Sequence, residues 1–332
     1  MPDGPLHKAR IGVDLMGSDT PPEELATALI QLSEEKFPAE FLIFASPEVT
    51  GELPKTLSSV TCPETIEMHE DPLVSVRRKK ESSLCQGLRY LHEKKIDAFI
   101  SAGNTGALLL AAKTILKTLP KIDRPALLTL LPTHKNEIAV LDVGANLTLK
   151  SHHILQFAAM GIAYQKSRGI ENPTVGLLNI GTEAIKGTLQ VREAYAKLEI
   201  LNYDGNRDRP TFLGNIEGKD VFRGDIDVLV TDGFTGNVFL KTAEGLASFI
   251  IKQLEMRAIE GSPSLRHEIS ALKERIYVAE HPGAILCGVE GIVVKCHGDV
   301  TAAKFMSSIK GAARLVEHRF LEKIMINLQG TP

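Results

Sequence analysis

A run of β-forming residues that breaks directly into a glycine-rich polar loop occurs twice in this chain, and this pattern limits the fold more than any other feature. The later copy is IDVLVTDGFTGN, residues 226–237, and the earlier is IDAFISAGNTGA, residues 96–107. In the later copy Ile226, Val228, Leu229 and Val230 suit one buried strand. Thr231, Asp232, Gly233, Thr235, Gly236 and Asn237 then offer little bulk and many hydrogen-bonding groups. The earlier copy sets Ser101, Gly103, Asn104 and Thr105 in the corresponding loop. Each reads as strand, loop, helix. In an open α/β sheet, ligands lie beyond the carboxyl ends of the strands, where such loops meet helix N-termini carrying partial positive charge. The two loops are therefore expected to line one anion-binding site.

The rest of the chain repeats this alternation. Residues 11–24 give a strand ending at Asp14 and a turn through Gly17, with a helix from about Pro22. Strands are expected at 40–45 and 65–69, and the basic run Arg77, Arg78, Lys79, Lys80 is expected to open a helix, either as a solvated start or as a dock for an anionic partner. Residues 106–117 read as a buried helix, and 126–132 and 137–141 as strands, the second leading to Asp142, Gly144 and Asn146. After a helix over 150–167, a strand from Thr174 gives way to Asn179, Gly181, Thr182, Glu183, Lys186 and Gly187, a third small polar loop. A helix over 188–198 and a polar connection at 202–210 follow. Residues 235–260 carry apolar side chains at three- and four-residue spacings, Gly261–Ser264 breaks that helix, and 265–275 resumes it, so a helix pair at about 243–275 should project from the body. Last come a strand ending at Lys295 and His297 and one long amphipathic helix over 302–328. Nine or more strands alternating with helices, with no long linker, imply a single α/β/α catalytic domain over 1–332, three layers about a mostly parallel sheet.

Composition removes several classes of function. A formal net charge of −3 gives no global attraction to nucleic acid. Cys62, Cys85, Cys287 and Cys296 lack metal spacing, which argues for reduced thiols in a cytoplasmic location and for no metal site. No apolar run approaches the roughly 18 residues of a membrane span. Residues 181–188, GTEAIKGT, put lysine before glycine and so fail as a phosphate-binding P-loop; GxGxxG, GxSxG and HExxH are absent. No cofactor is indicated. Lys186 between glycines suits a phosphate countercharge. Asn237 reads as either a helix cap or a site residue, and His297 as either a structural residue or an acid/base. The residues alone lead to an enzyme handling phosphate or carboxylate.

Eight segments in order resemble the PlsX phosphate acyltransferase family: DLMGSDTPP (14–22), EDPLVSVRRKKESSL (70–84), SAGNTGA (101–107), VLDVGAN (140–146), LLNIGTE (177–183), GNIEGKD (214–220), TDGFTGNV (231–238) and KCHG (295–298). The resemblance spans nearly the whole chain. It implies an isocitrate-dehydrogenase-like or phosphotransacetylase-like fold, a homodimer, and transfer of a fatty acyl group from acyl carrier protein to inorganic phosphate, giving acyl phosphate for glycerophospholipid synthesis. The family's helix-pair tip carries apolar, membrane-touching residues, whereas 261–264 is polar here, so only weak peripheral membrane contact is expected. Phosphate binding is expected from Asp14, Gly17, Ser101, Gly103, Asn104, Thr105, Asp142, Asn146, Asn179, Gly181, Thr182, Asp232, Gly233, Thr235 and Gly236, with Lys186, Asn237 and His297 as catalytic residues. Arg77, Arg78, Lys79 and Lys80 would dock the acidic carrier. The alternatives are a coenzyme A phosphotransacetylase-like enzyme and a non-catalytic carrier-protein or membrane scaffold.

Overall fold

The computed structural model describes residues 8–202, 210–258, 266–273 and 283–329. Its strands are β1 (Ala9–Asp14), β2 (Ala39–Ala45), β3 (Ser58–Thr61), β4 (Ala98–Ser101), β5 (Ala126–Pro132), β6 (Glu137–Leu141), β7 (Thr174–Asn179), β8 (Thr211–Glu217), β9 (Val228–Val230), β10 (Ala284–Cys287) and β11 (Ile292–Lys295). The helices used below are α1 (Pro22–Glu34), α2 (Pro47–Glu52), α3 (Pro72–Arg78), α4 (Ser83–His92), α5 (Thr105–Ile115), α6 (Ser151–Ser167), α7 (Leu189–Leu198) and α8 (Gly233–Ala258). The chain forms two compact units, Met1–Pro125 with Pro282–Lys323, and Ala126–His281 with Ile324–Pro332. No linker-like stretch precedes Ala126.

In the first unit the strand order is β3-β2-β1-β4-β11-β10, parallel throughout except for β10 against β11. Ile11, Val13, Ile43, Phe44 and Phe99 are fully buried, as both-face coverage of a parallel sheet requires. Phe44 stands edge-on to Tyr90 at 5.2 Å and to Phe99 at 6.0 Å, and a Cβ on Gly87 of α4 would collide with the Phe99 ring, so α4 lies directly on the sheet. One helix group, α3, α4 and α5, packs around β1, β2 and β4; a second, α1 with the helix Ala302–Glu317, packs on β1, β4 and β11. Register sets Asp14, Ser101 and Lys295 side by side at the carboxyl ends of β1, β4 and β11.

The second unit has the order β5-β6-β9-β7-β8, where β5 and β6 form an antiparallel hairpin and the other pairs are parallel. Helix α6 covers β6 and β9, and its Gly161 backs onto Val228 and Leu141 so closely that no larger residue fits. Among residues 241–256 of α8 only Ile251 is buried, and Lys273 of the helical segment 266–273 reaches Glu255 at 2.8 Å, so the two helical segments meet through this ion pair. The tip of the expected helix pair, Gly261–Ser264, and Ile259 lie outside the described residues, as does most of the polar connection at 202–210.

The mostly parallel three-layer fold read from the alternation is borne out, but three local expectations are corrected and further strands appear. Residues 65–69 form no strand; their carbonyls at Thr65, Glu67 and Met68 accept hydrogen bonds from the side chains of Lys79 and Asn104 instead of a ladder. The basic run does not open a helix: it closes α3 and forms the turn to α4, which Ser82 caps. The C-terminal helix is two helices, Ala302–Glu317 and Phe320–Gln329, because Arg319 adopts φ +53°, a left-handed conformation an α-helix cannot carry. Finally, β3, β8 and β10 are strands the sequence reading missed, β3 and β8 at the two ends of the strand order and β10 antiparallel to β11.

Candidate functional site

In the second unit, β6, β9 and β7 are neighbours, so the loops at their carboxyl ends lie together. The β6–α6 loop is built on Asp142, which is fully buried. Its Oδ1 accepts from the N–H groups of Leu127 (3.1 Å), Gly144 (3.2 Å) and Ala145 (2.9 Å), and its Oδ2 from the Asn146 N–H (2.7 Å) and side-chain amide (2.8 Å). Burial pushes the Asp142 carboxyl above the usual carboxylate range, while these donors pull the other way. The Asn146 carbonyl in turn accepts from the Gly233 N–H at 2.8 Å. A Cβ on Gly233 would stand 2.7 Å from Asn146 N and O, and one on Gly236 would collide with the Asp142 carbonyl. The glycines of the repeated motif thus let the start of α8 sit against this loop.

Asp232 caps α8, accepting from the Thr235 N–H at 2.8 Å and hydroxyl at 2.7 Å. The alternative that Asn237 caps this helix is therefore corrected: Asn237 lies in the second turn, exposed, and a Cβ built on Gly144 would be 3.8 Å from its Cγ. Asp142 and Asp232 organise the backbone of these loops through their carboxylates, and the Asn146 amide braces the Asp142 carboxylate. Thr235, on the exposed first turn, is likewise tied to Asp232.

The β7–α7 loop is fastened from within. Asn179 Oδ1 accepts from the Ile180 N–H at 2.8 Å and its Nδ2 donates to the Lys186 carbonyl at 3.1 Å, while Asn215 of β8 donates to the Glu183 carbonyl at 2.9 Å. Gly187 at φ +88° has Asn179 Oδ1 2.7 Å from where a Cβ would be, so only glycine closes the turn. A Cβ on Gly181 would stand 2.8 Å from a Glu183 carboxylate oxygen. What this frame presents outward is Thr182, Glu183 and Lys186; the Lys186 side chain is 44 % exposed and its Nζ stands 3.9 Å from Glu183. Held by its backbone rather than its ammonium, Lys186 can meet an anion.

The loops of the first unit are committed to their own architecture. Asp14, pushed up to about 6 by burial, accepts from the Met16 N–H at 3.0 Å and the Ser101 hydroxyl at 2.8 Å, and Ser101 accepts from the Gly103 N–H at 3.1 Å. Asn104 caps α5 through Ala107 N–H (3.0 Å) and donates to the carbonyls of Glu67, Met68 and Glu70. Gly17 at φ +68° packs on the Ile66 carbonyl, and Thr105 opens α5 half-buried. His297 is exposed, its Nδ1 3.3 Å from Asp299. Lys295 escaped the reading of candidate residues: it is buried, and its ammonium donates to the carbonyls of Ala102, at 3.2 Å, and Cys296, lowering Asp14 by its charge. Its signal was the strand register, which one-dimensional reading of KCHG does not display.

The basic run divides. Lys79 turns inward to Glu70 and to the Thr65 carbonyl, and this ammonium with the Ser75 hydroxyl holds the Glu70 carboxyl down to about 2. Arg77, Arg78 and Lys80 remain exposed, with Leu73 and Val74 exposed on the same short helix, three and four residues before the arginines.

Fold and loops define a protein of the α/β/α class with a mostly parallel sheet, a fold shared with solved phosphotransacetylases. Solved structures agree: a phosphotransacetylase from Streptococcus pyogenes is 18% identical with TM-score 0.61, covering 93% of this chain and 94% of that one, and EutD phosphotransacetylase from Staphylococcus aureus is 16% identical with TM-score 0.59, covering 92% and 94%. Within that class the chain belongs to the family described as fatty acid synthesis protein, whose model matches residues 9–323. Phosphate acyltransferase of Chlamydia pneumoniae is 37% identical over 97% of this chain and 99% of the relative, and that of Thermotoga maritima is 38% identical over 95% of each.

Proposed function

We propose that this protein transfers a fatty acyl group from the thioester of acyl carrier protein to inorganic phosphate. The observation that carries the reading is Lys186: an exposed ammonium on a loop fixed from beneath by Asn179 and Asn215, in a family whose relatives carry the name phosphate acyltransferase. Phosphate would lie against Lys186 and the exposed hydroxyls and backbone groups of the same loops, displacing the Glu183 contact. An oxygen of HPO4²⁻ attacks the thioester carbonyl, the new C–O bond forms as the C–S bond breaks, and the phosphate proton leaves with the thiolate as free thiol. Asn237 donates its amide hydrogen bond to the developing oxyanion. Proximity supplies most of the rate, since a thiolate leaves readily and phosphate dianion is already nucleophilic. No cysteine enters: burial pushes the thiols of Cys62 and Cys287 up to about 12 and of Cys296 up to about 11, and raises that of Cys85, so all four stay protonated at neutral pH.

The carrier donor is favoured over a coenzyme A donor by the face of α3, where exposed Leu73 and Val74 stand beside Arg77 and Arg78 and suit an acidic protein with an apolar patch. The proposal extends to a homodimer and to weak lipid contact by the helix pair. The test is an assay of acyl carrier protein thioester with phosphate, following free thiol. Phosphate-dependent release supports the reaction; release only from coenzyme A thioesters would indicate a phosphotransacetylase, and no release with retained carrier binding a scaffold.

A further inference from the structure

The three most exposed large apolar side chains among the described residues are Ile180 at 81%, Ile185 at 76% and Leu147 at 71%. All three lie in the loops just described, Ile180 after Asn179, Ile185 before Lys186 and Leu147 after Asn146. Phe234 and Val238, on the first turns of α8 to either side of Asn237, are exposed as well. Isoleucine has no affinity for an anion, and at these exposures its side chain buries little surface, while Asn179, Asn215 and Gly187 fasten the loop.

We propose that Ile180, Ile185 and Leu147, with Phe234 and Val238, form the subsite for the acyl chain of the donor. This rests on the reaction proposed above and locates the half of the substrate that reading leaves without a site. The argument is geometric. Bond formation brings the acyl carbon to bonding distance of a phosphate oxygen, so the first methylenes must cross the surface around the anion. If Lys186 holds that anion, the surface is made by its sequence neighbours, and it is apolar. Each methylene taken from water contributes a factor of up to about 4 in binding, so a chain reaching these residues separates long donors from short ones.

The test compares butyryl and palmitoyl thioesters of acyl carrier protein on the wild type and on Ile180→Ser/Ile185→Ser. The expected result is a fall of about tenfold or more in kcat/KM for palmitoyl, a clearly smaller fall for butyryl, whose few carbons cover only part of this surface, and a KM for phosphate changed by less than about twofold. An equal fall for both donors, or none for palmitoyl, overturns the assignment. So does a wild-type dimer that becomes a monomer in the double variant by light scattering, which would give these residues to a second copy of the chain. If the wild type transfers neither acyl group, the reaction reading fails and the subsite is judged by calorimetry with dodecyl phosphate. Weaker binding by the double variant then supports it, and equal binding overturns it.

Discussion

At the scale of single residues, the polar side chains of the glycine loops divide by where they point. Asp142, Asp232, Asn104 and Ser101 hold backbone, and Lys186 and Asn237 face outward. Composition of the loops was legible in the sequence; this division was not, because it depends on which donors the folded chain brings to each carboxylate. Lys186→Ala should lower turnover by about 10²-fold with the fold retained by circular dichroism, the loss typical of a preorganised charge contact. Near-normal activity at saturating phosphate would remove Lys186 from the reaction. Asp14 gives a pH signature. Its folded value, about 6, lies above the ordinary 3.8, so the native state takes up a proton that the unfolded chain does not bind between those values. Stability from this group is therefore greatest below 3.8, declines as pH rises through that window and is flat above about 6. The shift corresponds to about 3 kcal/mol. Asp14→Asn, which cannot ionise, should exceed the wild type in thermal midpoint at pH 7 and lose that margin by pH 4; a constant margin would show that Asp14 does not titrate in this range.

At the scale of elements, apolar periodicity located nearly every central strand and long helix, since β1, β4, β6, β7 and β9 are buried on both faces and announce themselves as apolar runs. It failed where a tertiary contact decides. Residues 65–69 look like a strand but serve Asn104 and Lys79, and the run from Arg77 to Lys80 ends a helix because Lys79 turns back to Glu70. The outward face of α3 is the element proposed to meet the carrier. Arg77→Glu/Arg78→Glu should raise the KM for the carrier thioester several-fold and flatten its dependence on salt, leaving the KM for phosphate unchanged. A change confined to phosphate would move the arginines to the anion site.

At the scale of the whole molecule, the fold class was legible because strand–helix alternation leaves few architectures open, and the family was legible because eight motifs occur in order. The boundary at Ala126 was not, since no linker marks it. Among the described residues no helix is long and apolar enough to cross a membrane, yet α8 exposes Leu246, Phe249, Ile250 and Met256. Contact with a bilayer through such a face would be shallow and reversible. Flotation with anionic liposomes at low salt, lost on Phe249→Asp with the oligomeric state unchanged by light scattering, is the expected outcome; a variant whose oligomeric state falls assigns that face to subunit packing. The central claim, acyl transfer to phosphate, is tested most directly by incubating the protein with palmitoyl acyl carrier protein and ¹⁸O-labelled phosphate and analysing the products by mass spectrometry. Free thiol in step with an acyl phosphate carrying all the label, and neither product without phosphate, is the predicted result. Thiol release that is independent of phosphate, or palmitate in place of the acyl phosphate, would contradict it.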